Sequence, residues 1–120
     1  MSLQLDCQQD LLSFRGRLDA DGARQLDAWL SQASAVPTVW DFSKLEFLSS
    51  AGIRSLLLLD RRVRATGRRP QLVIASPLIA DTLSIAGLDR LWDTHPDAAS
   101  ALSAAGNDAA SKVQETMLCA

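Results

Sequence analysis

Twice along this chain a strand-like run passes through a polar turn into an amphipathic helix, and that order constrains the fold more than any other feature. Thr38-Val39-Trp40-Asp41-Phe42 combines β-branched and aromatic residues as a strand does, and Asp41 and Ser43 make its C-terminal end polar. A helix over 49–66 follows, opened by two serines that can cap unpaired backbone N–H groups and ended just before Gly67. On it Ile53, Leu56, Leu57, Asp60 and Val63 share one face. Gln71-Leu72-Val73-Ile74-Ala75 then sets four apolar residues in a row, the pattern of a parallel strand covered on both faces. Ser76-Pro77 reads as the N-cap and first residue of a helix that runs to Ala86 and stops at Gly87. Strands alternating with helices predict an α/β layer built on a small, mostly parallel sheet.

The flanking segments fit that frame. Residues 3–6 and 11–15 read as an N-terminal hairpin whose second strand ends at Gly16. From Asp19, residues Ala23, Leu26, Leu30 and Ala33 recur on one helix face, with Asp19 or Asp21 as the cap. Leu88, Leu91 and Trp92 make a last short apolar element before a loop at His95-Pro96. Asp97 caps an Ala-rich helix with Ala98, Leu102 and Ala105 in line, closed by Gly106-Asn107. This predicts a domain over 1–105 and a tail over 106–120 that either forms a short helix or frays.

Composition narrows the function classes. At 120 residues the chain suits one domain. Its formal net charge of −2 offers no global positive field for nucleic acid or anionic lipid. No uninterrupted apolar run exceeds the four residues of Leu56–Leu59, and the N-terminus has no basic region followed by an apolar stretch, so neither a membrane span nor a signal peptide is expected. Cys7 and Cys119 sit near opposite ends without metal-ligand spacing and read as reduced thiols of a cytoplasmic protein. There is no phosphate-binding glycine loop and no Cys/His set, hence no expected cofactor or metal. Ser50, His95 and Asp41 lack the G-x-S-x-G elbow of a hydrolase, which argues against an enzyme. Trp29, Trp40 and Trp92 read as packing residues.

The information lies in DFSKLEFLSSAGIRSLLLLDRR, residues 41–62. Ser49 and Ser50 stand at a helix start, where N–H groups are unpaired and the dipole is positive, so a phosphate added there is electrostatically welcome. Otherwise they are simply a cap. Gly52 costs up to about 1 kcal/mol relative to Ala in a helix, which implies close approach of another backbone or of a partner. Arg54, Arg61, Arg62, Arg64, Arg68 and Arg69 concentrate six of the twelve basic residues in one stretch. Arg54, Arg61 and Arg62 should face solvent, as a solvated surface or as a match for an acidic partner. Among the four leucines Leu58 is the one expected to point away from the sheet, as an interface anchor or beneath a neighbouring helix.

In register, Asp41, Ser43, Leu45, Phe47, Leu48, Ser50, Ala51, Gly52 and Ile53 fall on D-x-S-x-[VL]-x-F-[ML]-[DS]-S-[SA]-G-[LI], and the chain resembles STAS domains, the anti-sigma-factor antagonists and sulphate-transporter tails. G-R-L-D at 16–19, P-Q-L-V-I-A-S-P and I-A-G-L-D-R-L-W extend the resemblance over residues 3–105. It implies a STAS-like single domain in which Ser50 is phosphorylated by an anti-sigma factor that is itself a serine-protein kinase of GHKL type. The unphosphorylated form sequesters that partner, phosphorylation releases it, and a PP2C-like phosphatase reverses the step. Ser49 occupies the position where many antagonists carry Asp, and it is the alternative acceptor. Asp19 matches an acidic position near the acceptor loop, or is only a helix cap. The expected partner-binding set is Asp19, Asp41, Ser43, Ser49, Gly52, Arg54, Leu58, Arg61 and Arg62. The family also contains constitutive subunits of transporters and lipid-transport ATPases, the alternative role.

Overall fold

The computed structural model describes residues 3–110, with side chains to Gly106. Strands β1 (Leu3–Gln8) and β2 (Leu11–Leu18) form an antiparallel hairpin turned at Gln9, and helix α1 spans Ala20–Gln32. Strand β3 (Val39–Leu48) leads into α2 (Ser50–Arg64), and β4 (Gln71–Val73) into α3 (Pro77–Ile85). A short 3-10 turn (Leu88–Arg90), strand β5 (Asp93–His95) and α4 (Ala98–Ala110) complete the described chain. The sheet order is β1-β2-β3-β4-β5, parallel everywhere except the hairpin.

Because β2, β3 and β4 run parallel, the helices that follow them all begin at one edge of the sheet, capped by Asp19, Ser49 and Ser76. β4 ends at Val73, level with Asp41, while β3 runs on alongside β2 to Leu48. The starts of α1 and α2 therefore stand side by side beyond the point where β4 stops.

The extension of β3 departs from the sequence reading, which ended the strand near residue 42. Leu12, Phe14 and Leu18 on β2 are buried at the two-residue spacing of a strand, whereas on β3 the buried core residues are Trp40, Phe42, Leu45 and Leu48. Two register shifts reconcile the strands: Ser13 pairs with Asp41 and Arg15 with Lys44, then Gly16 with Leu45 and Arg17 with Phe47. Each inserts one extra residue into β3 and returns an apolar side chain to the same face. Asp41 Oδ1 accepts the Ser43 N–H at 2.9 Å across the first bulge. Gly16 does not end β2 but lies within it at φ 98°, a left-handed conformation that a side chain disfavours, between the two shifts.

Val39 and Trp40, neighbours on β3, belong to different clusters. Trp40 packs with Leu26, Leu30, Leu56, Leu59, Ile79 and Leu83, so α1, α2 and α3 cover one face of the sheet. Val39 and Val73 pack with Ala101 and Ala105, so α4 covers the other. The buried side of α2 is Gly52, Ser55, Leu56, Leu59, Asp60 and Val63, rotated from the expected face so that Ile53 and Leu57 are half-buried. On α4 it is Ala101 rather than Leu102 that turns inward, and the helix passes through Gly106-Asn107 to Ala110. Residues 111–120, including the expected tail, lie outside the described residues. His95 is not in a loop but in edge strand β5, where its Nε2 meets Gln71 Oε1 at 2.7 Å. Cys7 is half-buried in β1, and Cys119 lies outside the described residues. Trp40 and Trp92 are buried edge to face at 5.2 Å, as packing residues should be.

One buried ion pair ties three segments together. Asp10, in the hairpin turn, takes Arg68 Nη2 on Oδ2 at 2.8 Å and the Thr38 N–H on Oδ1 at 2.9 Å, while its carbonyl accepts the Val39 N–H. Removing one member of such a pair strands the other charge. Asp10→Asn is therefore expected to lower the unfolding free energy by about 3 kcal/mol in urea titrations. A loss below about 1 kcal/mol would match a solvent-screened contact instead.

Candidate functional site

The paired starts of α1 and α2 meet at one backbone atom. The Leu18 carbonyl, last in β2, accepts the Ser49 N–H at 3.0 Å and the Ser49 hydroxyl at 3.0 Å. The same hydroxyl oxygen accepts the Gly52 N–H at 3.1 Å, which makes Ser49 the N-cap of α2. Its one donor is thus given to β2 and one acceptor lone pair to its own helix. Ser50, the first helical residue, is exposed. Two adjacent hydroxyls that look equivalent in sequence differ in the fold: one is locked inside the junction and the other faces outward.

Gly52 explains why the junction is so close. A Cβ there would lie 2.6 Å from both the Leu18 carbonyl oxygen and Leu18 Cγ. Of the two close approaches the sequence allowed, another backbone or a partner, the structure holds the backbone. Gly22 repeats the device in α1, where a Cβ would lie 2.5 Å from the Arg17 carbonyl oxygen. Asp19 caps α1 through the Gly22 N–H at 2.9 Å, and its other oxygen lies 3.7 Å from Arg17 Nε. Arg17 in turn lies over the Phe47 ring at 4.3 Å. Sequence reasoning passed over Arg17, whose one signal is its place inside G-R-L-D.

Down α2 the exposed face carries Ser50, Arg54, Leu58 and Arg61, with Leu58 at 42% exposure the outward leucine expected. Arg62 does not belong to this face: its Nη1 and Nη2 donate to the Leu30 and Ala33 carbonyls at 3.2 and 3.0 Å and close the C-terminus of α1. Arg64 pairs with Asp60, which also accepts Trp92 Nε1, and Arg69 pairs with Asp93. With Arg68 on Asp10, most of the basic cluster holds the fold together. Arg54 and Arg61 make no ion pair among the described residues.

The expected site residues therefore separate. Asp19, Ser49, Ser50 and Gly52 converge at the junction, and Arg54, Leu58 and Arg61 extend from it. Asp41 and Ser43 are not brought there: they line a shallow groove of about 240 Å³ with Ser13 and Arg15 on the sheet, well before the end of β3. His95 and Asp41 are held by Gln71 and the Ser43 N–H, and no contact joins either to Ser50. Among the described residues there is no metal-holding cluster of His, Cys, Asp or Glu, and no helix long and apolar enough to cross a membrane.

This architecture is that of a STAS domain, and the chain belongs to that family: the family model described as Mlab, STAS domain, matches residues 1–93. The fold is similar to that of an anti-sigma factor antagonist from Mycobacterium paratuberculosis, at 22% identity and TM-score 0.66, over 88% of this chain and 93% of that one. It is likewise similar to the Bacillus cell fate determinant SpoIIAA in its phosphorylated form, at 23% identity and TM-score 0.58, over 94% and 100%. The unphosphorylated form of SpoIIAA matches at 23% identity and TM-score 0.62, over 95% and 97%. No curated protein matches the sequence significantly.

Since Gly52 abuts a backbone carbonyl, Gly52→Ala should destabilise the domain by about 1–3 kcal/mol through overpacking, although Gly→Ala on an open helix is mildly stabilising. Thermal unfolding reads the difference. An unchanged or raised midpoint would mean that the junction opens at no cost.

Proposed function

We propose that this chain is an anti-sigma-factor antagonist, a cytoplasmic, non-catalytic binding module switched by phosphorylation of Ser50. Its partner is an anti-sigma factor that is also a serine kinase of GHKL type, held when Ser50 is unmodified and released when it is phosphorylated. A PP2C-like phosphatase resets the switch. The observation that carries this reading is the division of labour between the two serines: Ser49 is hydrogen-bonded to Leu18 and Gly52, while Ser50 is exposed. The similarity of fold to anti-sigma factor antagonists supports it.

Phosphorylation forms a bond between Ser50 Oγ and the γ-phosphorus of ATP, breaks the bond to the ADP oxygen and gives up the hydroxyl proton. It adds about −1.5 to −2 charges at pH 7. The positive end of α2 tolerates that charge, so the modification acts on docking rather than on folding. The exposed Arg54, Leu58 and Arg61 supply a surface suited to an acidic partner with an apolar contact at its centre.

Intact-mass spectrometry after incubation with the GHKL-type kinase and ATP tests the assignment. Wild type and Ser49→Ala should gain one phosphate and Ser50→Ala none, with circular dichroism confirming that Ser49→Ala, short of its cap by about 1 kcal/mol, is folded. Phosphate on Ser50→Ala and not on Ser49→Ala would move the site. An unmodified wild type that co-purifies with an ATPase subunit would favour the constitutive transporter role. Replacing Arg54 and Arg61 together by Glu should slow association with the kinase by about tenfold at low ionic strength and much less at high salt. An equal rate at low salt would reduce the two arginines to a solvated face.

A further inference from the structure

Ser50 and Arg54 are one turn apart on α2, and both are exposed. Side chains at this spacing have Cβ atoms about 5–6 Å apart, and an anion placed N-terminal to a cation is the favoured order. On β3, which leads into α2, the exposed Lys44 and Glu46 lie six and four residues before Ser50. From the β2–α1 junction come Asp19 and Arg17, engaged with each other, with Arg17 also resting on Phe47. In the first turn of α1, Asp21 is paired with Arg24. On α2 itself Arg62 and Arg64 are committed to the α1 carbonyls and to Asp60, while Arg54 has no ion pair among the described residues. It is the cation within one turn of Ser50 with nothing to give up.

We infer that Arg54 is the internal counter-ion of phosphorylated Ser50, so that modification withdraws from the docking face the arginine closest to it. The inference rests on Ser50 being the acceptor. A guanidinium meets phosphate oxygens through two parallel, charge-assisted N–H donors. The stripe of Arg54 and Arg61 then passes from two positive charges to roughly neutral, since the phosphate brings about −1.5 to −2 charges. Release of an acidic partner follows from losing a positive contact as well as from gaining a negative one. Asp19 contributes by repulsion: its carboxylate, already satisfied by the Gly22 N–H and Arg17, leaves the phosphate to turn along α2 towards Arg54.

The test uses the full chain with phosphoserine built in at position 50 during synthesis, so that its outcome does not depend on any kinase. The second ionisation of the phosphate is followed by phosphorus NMR against pH. A cation in contact favours the dianion, so wild type should titrate about half a unit or more below Arg54→Gln. Arg54→Lys should recover part of that lowering. Arg61→Gln, about three turns from the phosphate, should titrate like wild type. Equal values for wild type and Arg54→Gln would overturn the assignment, as would a rise in Arg17→Gln in place of Arg54→Gln. Should the phosphate titrate as expected while the kinase leaves Ser50 untouched, the pairing stands and the switch falls. A modified Ser50 whose ionisation ignores Arg54 gives the reverse.

Discussion

The Leu18 carbonyl holds together the junction of β2, α1 and α2. It receives both the backbone N–H and the hydroxyl of Ser49 and lies 2.6 Å from where a Cβ of Gly52 would be. Three consequences come from this one atom. The end of β2 is drawn against the start of α2, the N-termini of α1 and α2 are set side by side, and the half-buried Ser49 is tied to the backbone. Any side chain at position 52 would push these elements apart. The exposed position of Ser50 is therefore a result of backbone packing beneath it.

Around that junction the arginines divide by burial of their partners. Arg68 on Asp10 ties the hairpin turn to the start of β3 and to the connection before β4. Arg62 closes the end of α1, and Arg64 joins Asp60 to the loop that carries Leu91. Asp60 also takes the indole N–H of Trp92, so one oxygen of a carboxylate on the inner face of α2 accepts from two residues. Arg54 and Arg61 are left to solvent, in line with Ser50 and Leu58. A cluster that reads as one basic patch thus divides into arginines paired within the fold and two, Arg54 and Arg61, with no ion pair among the described residues.

Much of the architecture is written locally. The caps at Asp19, Ser49, Ser76 and Asp97, the hairpin and the parallel order all follow from short-range pattern, because each depends on one turn of backbone and the side chain beside it. The upper half of β3 was not legible, since two bulges break the alternation that marks a strand, and residues 43–48 show their inward face only once β2 fixes the register. β5 escaped for a related reason: three residues, mostly exposed, carry no periodicity of their own and exist because β4 pairs with them.

By itself the sequence determined the family motif, the strand-to-helix order and the placing of two hydroxyls at a helix start, because those features are carried by residues close together in the chain. Tertiary structure decided which hydroxyl is available, that Gly52 faces Leu18, that Asp41 and Ser43 lie away from the junction, and which arginines are outward. These outcomes hang on contacts between residues about thirty positions apart, as between Leu18 and Ser49 or Leu30 and Arg62. Helical periodicity specifies the direction of a side chain around its own axis, but whether that direction meets solvent or a neighbouring carbonyl is set only when the second element arrives.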